Sequence, residues 1–128
     1  MDTKQGTPKE QSQIKSFAVA FIGLKVIFMN ERNFRIHLVI GLLALLACFI
    51  FGVTANEWIA VLILIAIILC AEALNTSIEY LCDYITPEFQ PMIKNIKDVA
   101  AGAVLLCAIV AVIIGCIIFI PYIKALLV

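Results

Sequence analysis

The chain reads as an all-α membrane protein, an N-terminal amphipathic surface helix followed by three transmembrane helices, and three observations predict this. Hydrophobic residues make up 64% of its 128 residues and charged residues 14%, with a mean hydropathy of +1.12, too apolar for a soluble domain. Apolar runs at residues 36–53, 58–81 and 97–120 approach or exceed the roughly 20 residues that a spanning helix needs. A shorter segment, residues 15–30, places Phe17, Phe21, Leu24 and Phe28 on one narrow stripe with Lys15, Lys25 and Asn30 off it.

A polar tail, residues 1–13, precedes a single membrane domain over residues 14–128. No basic segment followed by an apolar core opens the chain, so insertion without cleavage is expected. Segment 15–30 has too few apolar residues to span and is predicted to lie in the membrane interface; packing on a soluble partner is the competing reading. The first span opens beside Arg35 and His37, with His37 read as an interfacial polar residue rather than a catalyst. Gly52, Thr54, Ala55 and Asn56 predict a short turn, and Trp58 suits the interfacial aromatic belt. Pro87 and Pro91 mark a loop after the second span. Pro121 is predicted to stop the third helix, in which Ala103, Cys107, Ala111 and Gly115 form a small-residue ridge suited to close helix contact.

Six of the nine basic residues, from Lys4 to Arg35, precede the first span, Lys94 and Lys97 lie between the second and third, and Lys124 follows the third. The turn from Thr54 to Glu57 has none. The positive-inside rule then puts the N-terminus and the Asp83–Lys97 loop in the cytoplasm.

The second span contains the principal candidate site. From Trp58 to Ala71 there are about 14 apolar residues, roughly 21 Å of helix against a hydrocarbon thickness of roughly 30 Å, so the helix must continue through Glu72. Glu72, Asn75, Glu79 and Asp83 fall at about 0°, 300°, 340° and 20° around the axis, one polar face descending from the surface to membrane depth. An intramembrane carboxylate costs about 2.5–3.5 kcal/mol on insertion scales and must face protein or a cavity. Three spans are a thin wrapping for such a cavity, which predicts a homo-oligomer with shared polar faces.

Lys94, Lys97 and Asp98 open the third helix. Lys97 and Asp98 point about 100° apart, so each is free to reach a different partner. Carboxylates and lysines together at a membrane surface suit a divalent metal and phosphate groups. No Walker A or protein-kinase motif is present, so nucleotide chemistry here requires an unrelated architecture. Five cysteines sit in or beside apolar runs without CxxC spacing, which reads as buried reduced thiols. From the residues alone, a proton-coupled transporter subunit and a membrane-embedded kinase both fit, while an assembly subunit without chemistry accounts poorly for Glu72, Asn75 and Glu79.

Glu72-Ala-Leu-Asn-Thr-Ser-Ile-Glu79, then Asp83, then Lys97-Asp98-Val-Ala-Ala-Gly-Ala-Val-Leu closely resembles the small integral-membrane lipid kinases of bacteria, the prokaryotic diacylglycerol and undecaprenol kinases. Asn30-Glu31 followed by Phe34-Arg35 is similar to that family's surface-helix exit. Arg35-Ile-His37 with Glu57-Trp58 looks more like the undecaprenol kinase branch. The resemblance implies a homotrimer in the bacterial cell (inner) membrane, transferring the γ-phosphoryl group of MgATP to a lipid hydroxyl, with Mg²⁺ as cofactor and no nucleic-acid partner. It implies Glu72 as general base, Asn75 as its orienting neighbour or a phosphate contact, and Glu31 and Glu79 as metal ligands. Lys97 and Asp98 become nucleotide contacts, with Glu88 and Gln90 in a weaker nucleotide-contacting loop.

Overall fold

The computed structural model describes residues 13–127, so the predicted tail falls, but for Gln13, outside the described residues. Four helices follow one another: α1 (Gln13–Asn30), α2 (Arg32–Phe51), α3 (Ala55–Ile85) and α4 (Pro91–Leu126). The last three have the length and composition to cross a membrane, and α3 packs against both α2 and α4.

One extended residue, Glu31, separates α1 from α2. Helix termini leave carbonyls without intrahelical donors, and here Arg35 of α2 reaches back to supply them, its Nη1 donating to Phe28 O at 3.0 Å and Met29 O at 2.8 Å. A guanidinium at a helix C-terminus also opposes the negative end of the helix dipole. Arg35 thereby fixes the break that carries Glu31. The aromatic stripe of α1 is exposed at Phe17, Phe21, Leu24 and Phe28, whereas Ile27 is buried; the face that meets α3 carries Ala20, Gly23 and Ile27 against Ala73, Thr76 and Tyr80. Of the stripe, Leu24 borders the pocket between α1 and α3, and Phe17, Phe21 and Phe28 are exposed.

The α2–α3 connection is built from caps. Gly52 adopts φ +61°, a left-handed conformation that glycine reaches without Cβ strain, and Val53 N–H returns to Cys48 O at 3.3 Å, a Schellman closure. Thr54 then caps α3 reciprocally with Glu57: Thr54 N–H donates to Glu57 Oε2 at 2.8 Å, and Glu57 N–H to Thr54 Oγ1 at 3.4 Å. Tyr122 of α4 donates to the same Glu57 oxygen at 2.7 Å. Beneath these caps Cys48, Val53, Val61 and Ile118 form the buried apolar cluster, with Trp58, Phe51 and Phe119 packed on it.

Several boundaries differ from the sequence expectation. α3 starts at Ala55 and runs to Ile85, past the predicted 58–81, because the Thr54–Glu57 box nucleates it early. α4 starts at Pro91, where a residue without N–H loses nothing in the first turn. Pro121 lies inside α4 rather than ending it: it removes one backbone donor, while Tyr122, stacked on Phe51 with centroids 6.0 Å apart and bonded to Glu57, holds the next turn in place. Trp58, at the first turn of α3, packs on the apolar cluster. No side chain lies within 4 Å of a Cβ placed at Gly115, so the Ala111–Gly115 part of the predicted ridge lines an apolar cleft of about 110 Å³ between α2, α3 and α4 rather than a tight helix contact. All five cysteines are free thiols; Cys48 and Cys82 are buried, but Cys70 and Cys116 lie on outward helix faces.

α2 and α3 are in contact at Gly41, where an added Cβ would stand 3.1 Å from Ile65 Cγ2. Replacing Gly41 with Val forces that layer apart and should lower stability by about 1–3 kcal/mol, read as a reduced midpoint in thermal unfolding of the detergent-solubilised protein. An unchanged midpoint would show that the layer has slack.

Candidate active site

α3 presents its polar stripe to the interior. Glu72 is 3% exposed, Asn75 8% and Thr76 4%, the buried polar side chains of a helix whose other faces are apolar. Helical spacing puts Glu72, Asn75, Thr76 and Glu79 on adjoining positions of one side, and the chain responds by supplying partners there. His37 of α2 meets Glu72, Nε2 to Oε1 at 3.1 Å. Asn75 Nδ2 donates to Glu79 Oε1 at 2.9 Å one turn along. Asn75 Oδ1 is buried without a protein partner, and buried amide oxygens are seldom left unsatisfied without a reason.

Asn33, His37, Glu72 and Asn75 line a pocket of about 310 Å³ closed on its α4 side by Ala101, Val104, Leu105 and Ala108. Its walls are apolar apart from those groups. Glu31 approaches from the helix break. Tyr80 donates its hydroxyl to Glu31 Oε1 at 3.0 Å, which ties the break to the turn of α3 that bears Glu79. Glu72 and Glu79 share one face of α3, and the Tyr80 contact holds Glu31 beside the next residue of that helix after Glu79.

The second group of predicted residues occupies a separate cleft of about 400 Å³ at the α3–α4 loop, lined by Asp83, Glu88, Gln90, Lys94, Lys97 and Asp98 among others. Lys97 pairs with Asp83 across the two helices, and Lys94 pairs with Asp98 one turn along α4. The different partners expected for Lys97 and Asp98 are thus present. Gln90 is the exposed N-cap position of α4, and Glu88 follows a turn in which its N–H donates to Thr86 Oγ1 at 3.3 Å. Exposed ion pairs contribute little to stability, so polyphosphate oxygens can displace Asp83 and Asp98 from these ammonium groups at small cost.

Among the described residues, no three Asp, Glu, His or Cys side chains converge into a ready-made metal centre. The donor set nevertheless suits Mg²⁺, which takes hard oxygen ligands, retains waters and is commonly held by one or two carboxylates together with substrate phosphates. Glu31 and Glu79 are such carboxylates, with the unpartnered Asn75 oxygen beside Glu79. Sequence reasoning missed His37 as a partner of Glu72, Tyr80 as the tether of Glu31, and Asp83 as the counter-charge of Lys97. Each is a contact between helices, and helical periodicity reports faces within a helix but not which faces meet.

Residues 18–119 match the family described as prokaryotic diacylglycerol kinase. The chain is 36% identical over 121 residues to an undecaprenol kinase from Bacillus subtilis, an alignment covering 94% of this chain and 98% of that protein. It is 34% identical over 105 residues to a diacylglycerol kinase from Escherichia coli K12, covering 81% and 85% respectively. A diacylglycerol kinase from Synechocystis is 34% identical over 114 residues, 88% of this chain and 65% of that protein. A buried glutamate on a helix fit to span a membrane, a lysine-bearing cleft at its end and similarity across nearly the whole chain converge: the chain belongs to the prokaryotic diacylglycerol kinase family.

Proposed function

We propose that this chain is a lipid kinase that transfers the γ-phosphoryl group of MgATP to the hydroxyl of diacylglycerol or undecaprenol at the membrane surface. The observation that carries this reading is the buried Glu72 carboxylate, which shares with Asn33, His37 and the unpartnered Asn75 oxygen a pocket whose α4 wall is apolar. A lipid hydroxyl matches that pocket: its O–H is a donor for a carboxylate or amide oxygen, and its tail suits the apolar walls. Family membership removes the support for a proton-coupled transporter.

In the proposed reaction Glu72 accepts the hydroxyl proton as the lipid oxygen bonds to the γ-phosphorus. The bond from that phosphorus to the bridging oxygen breaks, and ADP departs with its electron pair. Catalysis of this kind depends on positioning and on neutralising charge over the phosphoryl oxygens. Mg²⁺, held by Glu31 and Glu79, would supply much of that neutralisation. Lys97 balances phosphate charge, and Asp98, Glu88 and Gln90 hold the nucleotide in the loop-end cleft. Asn75 fixes Glu79 through its amide and offers its oxygen to the acceptor or a phosphate.

We assign the active form as a homotrimer in the bacterial cell membrane, with the N-terminus and the α3–α4 loop in the cytoplasm. The distribution of Lys and Arg supports the orientation. Support for association comes from the pocket around Glu72 and the cleft around Lys97, which are separate within one chain, so a neighbouring subunit is the natural means of closing one upon the other. Undecaprenol is the acceptor we favour, on the similarity to the Bacillus subtilis enzyme that spans both chains.

Lipid-dependent ADP release in mixed micelles tests the activity, with undecaprenol expected to be phosphorylated faster than diacylglycerol; release with neither lipid refutes the assignment. Glu72→Gln should keep the oligomer and bound Mg²⁺ yet lose at least about 100-fold in turnover, the scale of a general base. For Glu79→Gln, the Mg²⁺ concentration giving half-maximal rate should rise by about tenfold or more, and an unaltered Mg²⁺ titration would remove Glu79 as a ligand.

A further inference from the structure

We propose that His37 is a positioning residue for phosphoryl transfer: its imidazole holds one carboxylate oxygen of Glu72 and thereby directs the other to the acceptor hydroxyl. The inference rests on the base role given to Glu72 above. Nε2 of His37 lies 3.1 Å from Oε1 of Glu72, and the two side chains are 22% and 4% exposed. Among the described residues, His37 is the side chain from another helix that stands within 4 Å of the Glu72 carboxylate as an ion-pair partner. The terminal torsion of a glutamate is broad and only weakly selected by rotamer preference, so burial alone does not orient its carboxylate plane. A donor from another helix does, because α2 and α3 are locked together by the Gly41–Ile65 layer one turn along α2.

The location of His37 fits the role. It is the residue common to the apolar cleft between α2, α3 and α4 and the pocket that holds Glu72 and Asn75, and its ring forms part of the wall between them. The pair engages Oε1 of Glu72 and leaves Oε2 outside the contact, while Glu72 and Asn75, whose Oδ1 is buried without a partner, line the same pocket. Imidazole with a proton on Nε2 donates there whether the ring is neutral or cationic, so the geometry does not require a charged histidine. A side chain of similar length with an N–H at its tip, such as glutamine, can make the same contact, and methionine fills the volume without it.

Turnover and MgATP dependence of His37→Met, His37→Gln and Glu72→Gln, measured with undecaprenol in mixed micelles, test the inference. The Met variant should lose about tenfold or more in kcat, as expected for a lost hydrogen bond to a charged group, with KM for MgATP within about twofold of the parent. Glutamine should restore kcat to within about threefold of the parent. Parental kcat in the Met variant overturns the inference, as does a glutamine variant as slow as methionine, or a Met defect confined to KM. Should the Met protein fail to assemble, the glutamine variant decides alone: kcat near the parent's sustains the role and a loss of about tenfold or more refutes it. An active Glu72→Gln protein removes the base role itself, whereas an inactive one beside a fully active Met variant removes only the part given to His37.

Discussion

A carboxylate buried on a helix long and apolar enough to cross a membrane is the constraint around which this fold is arranged. Glu72 cannot face acyl chains without a cost of several kcal/mol, so the helices beside it must supply both cover and a polar partner. α2 does so through His37, which requires the axes of α2 and α3 to run close together. Gly41, one turn beyond His37, permits that approach because Ile65, two turns before Glu72, fills the space that a side chain at Gly41 would occupy. The His37–Glu72 and Gly41–Ile65 contacts are successive layers of one antiparallel interface. The same interface ends in the cluster of Cys48, Val53 and Val61, so the turn that closes α2 onto α3 and the polar pair at the opposite end are fixed by one helix register.

The second determinant is the single-residue break at Glu31. A continuous helix from Gln13 to Phe51 would carry α1 away from α3 and leave Glu31 far from the polar stripe. Instead the extended conformation at Glu31 redirects the chain, Arg35 caps the carbonyls that the break exposes, and buried Phe34 anchors the start of α2. Tyr80 then bonds Glu31 to the α3 turn that carries Glu79. A surface helix therefore acts as a lever that brings an acidic residue to the edge of the membrane site, and its aromatic stripe remains free to rest in the interface.

Much of this was legible in the sequence because the bilayer imposes strong patterns. The number and order of the long apolar helices, the face shared by Glu72, Asn75 and Glu79, and the separate partners of Lys97 and Asp98 all follow from hydropathy and the helical repeat. What escaped depended on contacts between distant segments. Pro121 reads locally as a stop, yet Tyr122 bridging to Glu57 and Phe51 carries α4 onward. The packing of Trp58 on a cluster drawn from three helices could not be read from its place at the start of a span. Ala111 and Gly115 have the spacing of a packing ridge, but that spacing cannot distinguish a face that meets a helix from one that lines a cleft. His37 is a single polar residue near a membrane boundary, with nothing in its neighbours to reveal that Glu72, far along the chain, lies opposite.

The two clefts differ in how their charges are held, and the difference fits their proposed tasks. The acceptor pocket is apolar with few, well-oriented groups, the setting in which a proton acceptor and a neutral lipid hydroxyl meet with little competing water. The loop-end cleft is exposed and its lysines are already paired, Lys97 with Asp83 and Lys94 with Asp98. Such pairs keep cationic side chains from collapsing elsewhere while yielding readily to a more highly charged polyphosphate. α3 links the clefts mechanically: Glu79 and Asp83 are four residues apart on one face, about 6 Å along the helix. The polar face of α3 thus runs without a break from the pocket in which His37 meets Glu72 to the cleft in which Asp83 meets Lys97.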